Sequence, residues 1–142
     1  MLAVDWQKDA AGWLPLNLIE LSDIETVGAY IIWPAGNPRL VVRVGSGVVA
    51  ERISFNQFDP ETQAYGVRLG RLYVTWAALS RSDLLGVERY LQDQCKPLIS
   101  TTRPQADPIS VNLPFDASCA PGERRACSLK SSSASRIARS LA

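Results

Sequence analysis

The sequence lacks histidine altogether and contains only three cysteines, which limits the sites and compartments it can use. Zinc centres are built mainly from histidine and cysteine, so a zinc site of that kind is not expected. An odd number of cysteines does not suit the fully paired framework of a small secreted scaffold. No apolar run approaches the roughly 20 residues that a membrane span requires. Residues 1–9 do not resemble a signal peptide, so we expect a cytoplasmic protein.

An excess of basic charge is also missing from most of the chain. Residues 1–116 hold ten basic and thirteen acidic residues, whereas residues 117–142 hold five basic and one acidic residue. The first part is therefore not a basic clamp around nucleic acid, and any phosphate contact there must be local. The second part is rich in serine and poor in bulky apolar side chains, which predicts a disordered tail.

The remainder of the chain is expected to form one α/β domain of the α+β kind. Runs of β-branched and aromatic residues predict three strands, at 27–33, 39–44 and 72–79. The first two flank a turn rich in proline and glycine and should form an antiparallel hairpin. Helices are predicted at 47–57 and 81–95, with a loop or a weaker helix at 59–70. The expected fold is a small, mostly antiparallel sheet of three strands flanked by helices, at 27–116, with an N-terminal extension, 1–26, packing on it.

The helix at 81–95 carries a carboxylate on its apolar face. Ser80 followed by Asp83 predicts a capping box at its start. At 100° per residue, one stripe is apolar, and its members are Leu84, Val87, Leu91 and Cys95. Glu88 falls inside this stripe, where an unpaired charge is costly. We therefore expect Glu88 to bind a metal or to pair with a cation.

Five elements of the sequence, in order, resemble the GIY-YIG endonuclease family, which includes nucleases of bacterial excision repair. They are Gly28–Ala29–Tyr30, Arg43–Val44–Gly45, Arg52, Glu88 with Lys96–Pro97 after it, and Asn112. The resemblance covers about residues 27–115. It implies a nuclease domain that cuts nucleic acid, most often DNA, with Mg²⁺ or Mn²⁺ as its cofactor.

The resemblance also implies roles for individual residues. Glu88 would ligate the metal, and Arg52 would stabilise charge on the phosphoryl oxygens. Tyr30 would orient or deprotonate the attacking water. On the substrate side, Gly45 would let the backbone turn tightly, and Asn112 would anchor the last segment against the site.

Two positions depart from the family pattern, and they leave alternatives open. Arg43 replaces a tyrosine, and Asn56 stands where histidine or tyrosine is usual; neither can transfer a proton as those residues do. Arg43 could instead bind phosphate. A second hypothesis is therefore a catalytically inactive domain that binds nucleic acid or a protein. A third is a structural domain in which Glu88 and Arg52 form a buried ion pair. Since no targeting module is evident, a protein partner could supply specificity.

Overall fold

An antiparallel sheet and helices make up the computed structural model, which describes residues 1–37, 40–99 and 101–115. The strands are β1 (Leu14–Pro15), β2 (Val27–Pro34), β3 (Arg43–Val48) and β4 (Leu72–Ala78). The α-helices of the described residues are α1 (Val49–Phe58), α2 (Pro60–Leu69) and α3 (Leu84–Cys95). Two short 3-10 helices lie at Leu16–Leu18 and Arg81–Asp83. The predicted α+β class is confirmed, and none of the described helices is long and apolar enough to cross a bilayer.

Within the described residues the sheet has four strands instead of the predicted three, in the order β1-β4-β2-β3. All neighbouring strands are antiparallel, and β2 lies between β3 and β4. The additional strand comes from the N-terminal segment, where Leu14 pairs with Val74 and Pro15 with Tyr73. A two-residue strand that contains proline is too short to produce an alternating pattern, so its pairing was not predictable from the sequence.

Strand β3 begins at Arg43 and continues through Gly45 and Gly47, whereas the sequence predicted a strand that ends at Val44 and a turn after it. Tyr30 pairs with Gly45, and Gly28 pairs with Gly47, across the two strands. Gly45 and Gly47 are therefore paired residues of β3 and do not form a turn that ends the hairpin. Helix α1 begins directly after the strand, at Val49. Residues 38 and 39, where the predicted strand begins, lie outside the described residues.

The segment predicted as a loop or a weaker helix at 59–70 is the regular helix α2. Asp59 is its N-cap, and the Asp59 carboxylate accepts a hydrogen bond from the backbone N–H of Thr62. Pro60 occupies the first turn, where its missing N–H costs nothing. The Asp-Pro start is a helix signal that the weak apolar periodicity of the segment masked.

The capping box predicted at Ser80 does not form as expected. The Ser80 hydroxyl donates to the Asp83 carboxylate at 2.9 Å but accepts no capping bond from a backbone N–H. A turn of 3-10 helix precedes α3, so Ser80 is not the N-cap of that helix. The stripe of α3 is buried at Val87, Leu91 and Cys95, as its periodicity predicted. Helix α3 ends at Cys95, and its C-cap, Lys96, adopts a left-handed conformation with φ 48° just before Pro97.

Each face of the sheet supports its own hydrophobic core, because β2 alternates its side chains. Tyr30 and Ile32 face a cluster that also contains Val49 and Ile53 of α1. Ile31 and its neighbours on the other face pack against α3, whose buried members are Val87, Leu91 and Cys95. Burying each large aliphatic side chain contributes ~2 kcal/mol, so both helices are held firmly on the sheet.

The N-terminal segment is tied to the sheet and to the end of the described chain. The Gln7 N–H donates to the Trp76 carbonyl at 2.9 Å, and the Thr75 hydroxyl donates to the Gln7 carbonyl at 2.6 Å. Residues 1–26 thus pack on the domain. The tail predicted at 117–142 lies outside the described residues.

Candidate functional site

The predicted catalytic residues lie around β3, the edge strand of the sheet. Tyr30 comes from β2, Arg52 from the first turns of α1, and Glu88 from α3. Helices α1 and α3 both contact β3, the former on the Tyr30 face and the latter on the opposite face. Strand β3 thus lies between Tyr30 and Glu88, and the site wraps around its edge.

Glu88 is held by two polar neighbours. One carboxylate oxygen accepts a hydrogen bond from the Ser46 hydroxyl at 2.6 Å, and the other accepts one from the Gln92 amide at 3.2 Å. Glu88 is only partly buried, because it borders the apolar stripe of α3 and points toward the edge of the sheet. Its charge is therefore oriented, hydrogen-bonded and accessible to solvent.

The buried ion pair considered for Glu88 and Arg52 does not form. Arg52 is exposed, and its Nε donates to the Ser46 carbonyl at 3.2 Å. Among the ion pairs of the described residues, none joins these two side chains. Ser46 links them instead, since its carbonyl contacts Arg52 and its hydroxyl contacts Glu88. The terminal guanidinium nitrogens of Arg52 have no hydrogen-bond partner within the described ranges.

The glycines of β3 make room for the two side chains that pack over them. A Cβ at Gly45 would lie 2.6 Å from the Tyr30 hydroxyl oxygen. A Cβ at Gly47 would lie 3.0 Å from the Arg52 Nε, and Gly47 also has a φ of +133°, which side chains rarely adopt. Both positions therefore require glycine if Tyr30 and Arg52 are to stay where they are.

Tyr30 is an almost fully buried phenol whose oxygen reaches this edge. Burial raises its pKa above the ordinary value of 10.0, although a hydrogen bond from Asn56 and the charges of Arg43 and Arg52 oppose the rise. Tyr30 is therefore neutral at physiological pH. The Asn56 amide donates to its oxygen at 3.4 Å, which leaves the hydroxyl hydrogen to point elsewhere.

Asn56 is the centre of a buried hydrogen-bond network. Its amide nitrogen also donates to the Arg52 carbonyl at 2.8 Å, and its amide oxygen accepts from the Thr62 hydroxyl at 2.9 Å. The Thr62 hydroxyl lies 2.8 Å from the Asp59 carboxylate as well, and can donate to only one acceptor at a time. Asn56 is completely buried, and these contacts satisfy its polar atoms.

Arg43, predicted to bind substrate, is mostly buried and belongs to the same network. Its guanidinium pairs with Asp59 at 3.3 Å, with 11% of the side chain exposed, and lies 5.7 Å from the centre of the Phe55 ring. Its Nε is buried without a hydrogen-bond partner in the described part of the chain. Arg43 thus joins β3 to the start of α2 through Asp59.

Asp59 gives stability that depends on pH. Burial alone would raise its pKa, but hydrogen bonds from Thr62 and the charge of Arg43 bring the pKa below its ordinary value of 3.8. A carboxyl with a lowered folded-state pKa contributes stability that is present above the unfolded-state value and lost as pH falls through the folded-state value.

We therefore expect Asp59→Asn to lower the free energy of unfolding near neutral pH and to matter less below about pH 3. Urea unfolding across this pH range measures the difference. Asn retains the N-cap preference, so the change isolates the charge. Asp5→Asn, at an exposed position, is the control. A stability difference between wild type and D59N that does not shrink in acid would contradict the role of the Arg43 pair.

Asn112 lies with the N-terminal segment. Its side-chain oxygen accepts from the Val4 N–H at 2.7 Å, and its amide nitrogen donates to the Val4 carbonyl at 2.9 Å. No hydrogen bond within the described ranges joins it to Tyr30, Arg52 or Glu88. Both ends of the amide are used to hold the N-terminal segment beside Val111, which is buried against the α3 face.

A shallow depression of ≈ 470 Å³ lies along the end of α3. The described residues that line it are Gln92, Asp93, Lys96, Pro97, Thr101 and Arg103. Gln92 connects it to the site, because its amide contacts both Glu88 and the Thr101 hydroxyl. Lys96 and Arg103 place two cations there, and Arg103 also pairs with Asp93.

Three polar residues of the site were not predicted from the sequence. Ser46 falls in a predicted turn, although its place between two glycines of a strand would have put its side chain on the α3 face. Gln92 follows Glu88 by one helical turn, a spacing at which side chains meet. Asn56 stands out in the sequence only as a replacement, whereas its burial and its contact with Tyr30 required the tertiary structure.

The donor atoms at Glu88 suit a hard cation such as Mg²⁺ or Mn²⁺. The group offers the Glu88 carboxylate and the Ser46 hydroxyl, and such ions take oxygen ligands and retain several waters. The described ranges contain no group of three or more His, Cys, Asp or Glu side chains that could hold a metal ion. A cation would therefore need waters and substrate phosphate as its remaining ligands.

Comparison with protein-family models, curated proteins and solved structures found no match for this chain.

Proposed function

We propose that this protein is a divalent-metal-dependent endonuclease of the GIY-YIG kind that hydrolyses phosphodiester bonds in DNA. The observation that carries the proposal is the arrangement around β3, where Tyr30 packs over Gly45 and Arg52 over Gly47, while Glu88 accepts a hydrogen bond from the Ser46 hydroxyl. Two further features support it. The glycine-bearing strands β2 and β3 pair directly, and β2 lies between β3 and β4, as a hairpin followed by a helix, a strand and a second helix would arrange them.

The chemistry divides among three side chains. A cation held by Glu88 would supply charge neutralisation and an activated water. Arg52 reaches the same edge with a planar fork whose terminal nitrogens can bind two phosphoryl oxygens. Tyr30 is neutral, so it acts as a hydrogen-bond donor that positions water or a phosphoryl oxygen. Orienting the attacking water is therefore preferred to deprotonating it as the role of Tyr30.

A second candidate function is a catalytically inactive module that binds nucleic acid or a protein. Arg43 and Asn56 favour it, because they occupy positions where the resemblance implies groups able to exchange protons. Both are engaged in the network around Asp59 and Thr62, so neither is available for a proton transfer. In this alternative, the Arg52 fork and the strand edge would bind phosphate without cutting.

Cleavage of supercoiled plasmid distinguishes the two functions. The full chain is incubated with plasmid in Mg²⁺, in Mn²⁺ and in excess EDTA, and nicked circles are quantified over time. The proposal predicts nicking that depends on the metal and on protein concentration. If protein that is folded by circular dichroism leaves the plasmid intact with both metals, the nuclease assignment fails. A mobility-shift assay then tests the binding module.

A further inference from the structure

Two aromatic rings project from the outer face of α1, the helix that carries Arg52. Phe55 is 55% exposed and Phe58 is 80% exposed, and their spacing of three residues puts them on one face. The opposite face of α1 is buried at Val49, Ile53 and Asn56. A fully buried phenylalanine would gain roughly 2 kcal/mol, so a pair left in water indicates a surface that binds a ligand.

One exposed cation, Arg52, lies beside this aromatic pair, Phe55 and Phe58. Arg52 precedes Phe55 by three residues, and its terminal guanidinium nitrogens have no hydrogen-bond partner in the described ranges. The Arg43 guanidinium also lies 5.7 Å from the Phe55 ring centre, but its charge is offset by the ion pair with Asp59. Glu51, in the first turn, is the one acidic side chain of α1. Exposed aromatic rings beside an arginine are a combination by which proteins bind single-stranded nucleic acid, where bases stack and phosphates meet cations.

The aromatic pair is too small for a stable protein interface. Such interfaces bury roughly 800 Å² on each partner, several times what two phenylalanine rings offer. The other strongly exposed apolar side chains of the neighbouring helices, Leu18 and Val67, line a separate depression with Pro15 and Leu72. Two isolated rings match one or two nucleobases instead.

The position of the aromatic pair relative to Arg52 defines which nucleotides it could contact. At 1.5 Å per residue, Phe55 and Phe58 lie roughly 4.5 and 9 Å from Arg52 along the helix axis. Bases stacked there would belong to nucleotides next to the phosphate held by Arg52. In a duplex those bases are paired and stacked on one another, so their faces are not available.

Building on the proposed nuclease function, we propose that Phe55 and Phe58 form a stacking surface for unpaired bases, and that the substrate class is single-stranded or flapped nucleic acid. The surface is next to the cutting site, so the preference extends to cleavage. Stacked bases would hold the strand while Arg52 engages the adjacent phosphate.

Quenching of 2-aminopurine fluorescence tests this proposal, because the base loses emission when it stacks on a ring. The full chain is titrated in EDTA with a single-stranded oligonucleotide that contains 2-aminopurine, so no cleavage intervenes. The double substitution Phe55→Leu and Phe58→Leu keeps the apolar surface and removes the rings. We expect it to weaken single-strand binding at least ~10-fold and to abolish the quenching, while duplex binding changes little.

The matched control is Val67→Ala, at an apolar position that is 87% exposed on α2. It should bind the oligonucleotide like wild type, and thermal melts should show all variants folded. Equal single-strand affinity of wild type and the double variant would overturn the proposal. Wild type that sediments as a dimer, with the double variant a monomer, would also overturn it in favour of a second copy on this face.

The quenching assay and the plasmid assay can fail independently, so they test the stacking surface and the nuclease function separately. Ring-dependent quenching by a protein that never nicks plasmid would keep the stacking surface and remove the nuclease. Metal-dependent nicking with ring-independent affinity would keep the nuclease and remove the stacking surface.

Discussion

Replacing Glu88 with glutamine is expected to reduce metal-dependent cleavage at least ~100-fold, because it removes the carboxylate charge that would hold the cation. The fold should tolerate the change. Glutamine is nearly isosteric, its amide oxygen can still accept from the Ser46 hydroxyl, and Glu88 makes no ion pair with Arg52. The free energy of unfolding should change by no more than ~1 kcal/mol. Initial nicking rates and urea unfolding measure the two effects.

Glu51→Gln is the matched control for Glu88→Gln. It removes the same charge from an exposed position on α1, and it should keep wild-type nicking. An E88Q protein that nicks as fast as wild type would show that Glu88 is not the metal ligand. If E88Q instead unfolds several kcal/mol more easily, the carboxylate is chiefly structural, as expected when a buried charge loses its partner.

The substitution Gly28→Ala is expected to destabilise the protein by ~3 kcal/mol or more. A Cβ at Gly28 would lie 1.9 Å from the Ala77 carbonyl oxygen. That oxygen belongs to the backbone of β4, so no side-chain rotation can relieve the contact, and overpacking in a core already costs roughly 1–3 kcal/mol. Gly28 sits on the central strand, paired with both Gly47 and Ala78, so any shift disturbs two ladders.

Thermal unfolding measures this effect, with a drop in Tm of about 10 °C or more expected for a chain of this size. Gly36→Ala is the control, because a Cβ at Gly36 meets no atom within 4 Å and its backbone has no left-handed φ. Equal Tm values for G28A and G36A would show that β2 and β4 are not held at this close spacing.

The parts of the fold that the sequence predicted are those with strong local patterns. The apolar run at 27–33 became the central strand, and the stripe of the helix at 81–95 buried three of its four predicted members. Such segments are decided by their own periodicity and by turn residues at their ends. Helix α2 was predicted less firmly, because its apolar pattern is weak. It is the cap at Asp59 and the proline in the first turn that favour this helix.

The remaining features depend on partners that are distant in the chain. The two-residue strand β1 exists because β4 offers it a free edge, and the extension of β3 through Gly45 and Gly47 is decided by its pairing with β2. In the site, periodicity placed Glu88 on the correct helix. Its contact with Ser46, 42 residues away, follows only from the register of β3. The predicted capping box failed because α3 begins only at Leu84, after a 3-10 turn at Arg81–Asp83, so Ser80 is not the N-cap of α3.

The most direct test of the central claim is paramagnetic line broadening by Mn²⁺ in amide NMR spectra of wild type and E88Q. If Glu88 holds the cation at the edge of β3, substoichiometric Mn²⁺ should first broaden the amide signals of Ser46, Gly47, Glu88 and Gln92. The same signals should persist in E88Q at equal Mn²⁺. Broadening that is identical in the two proteins, or that centres on carboxylates elsewhere in the chain, would contradict a metal site at Glu88 and the nuclease mechanism built on it.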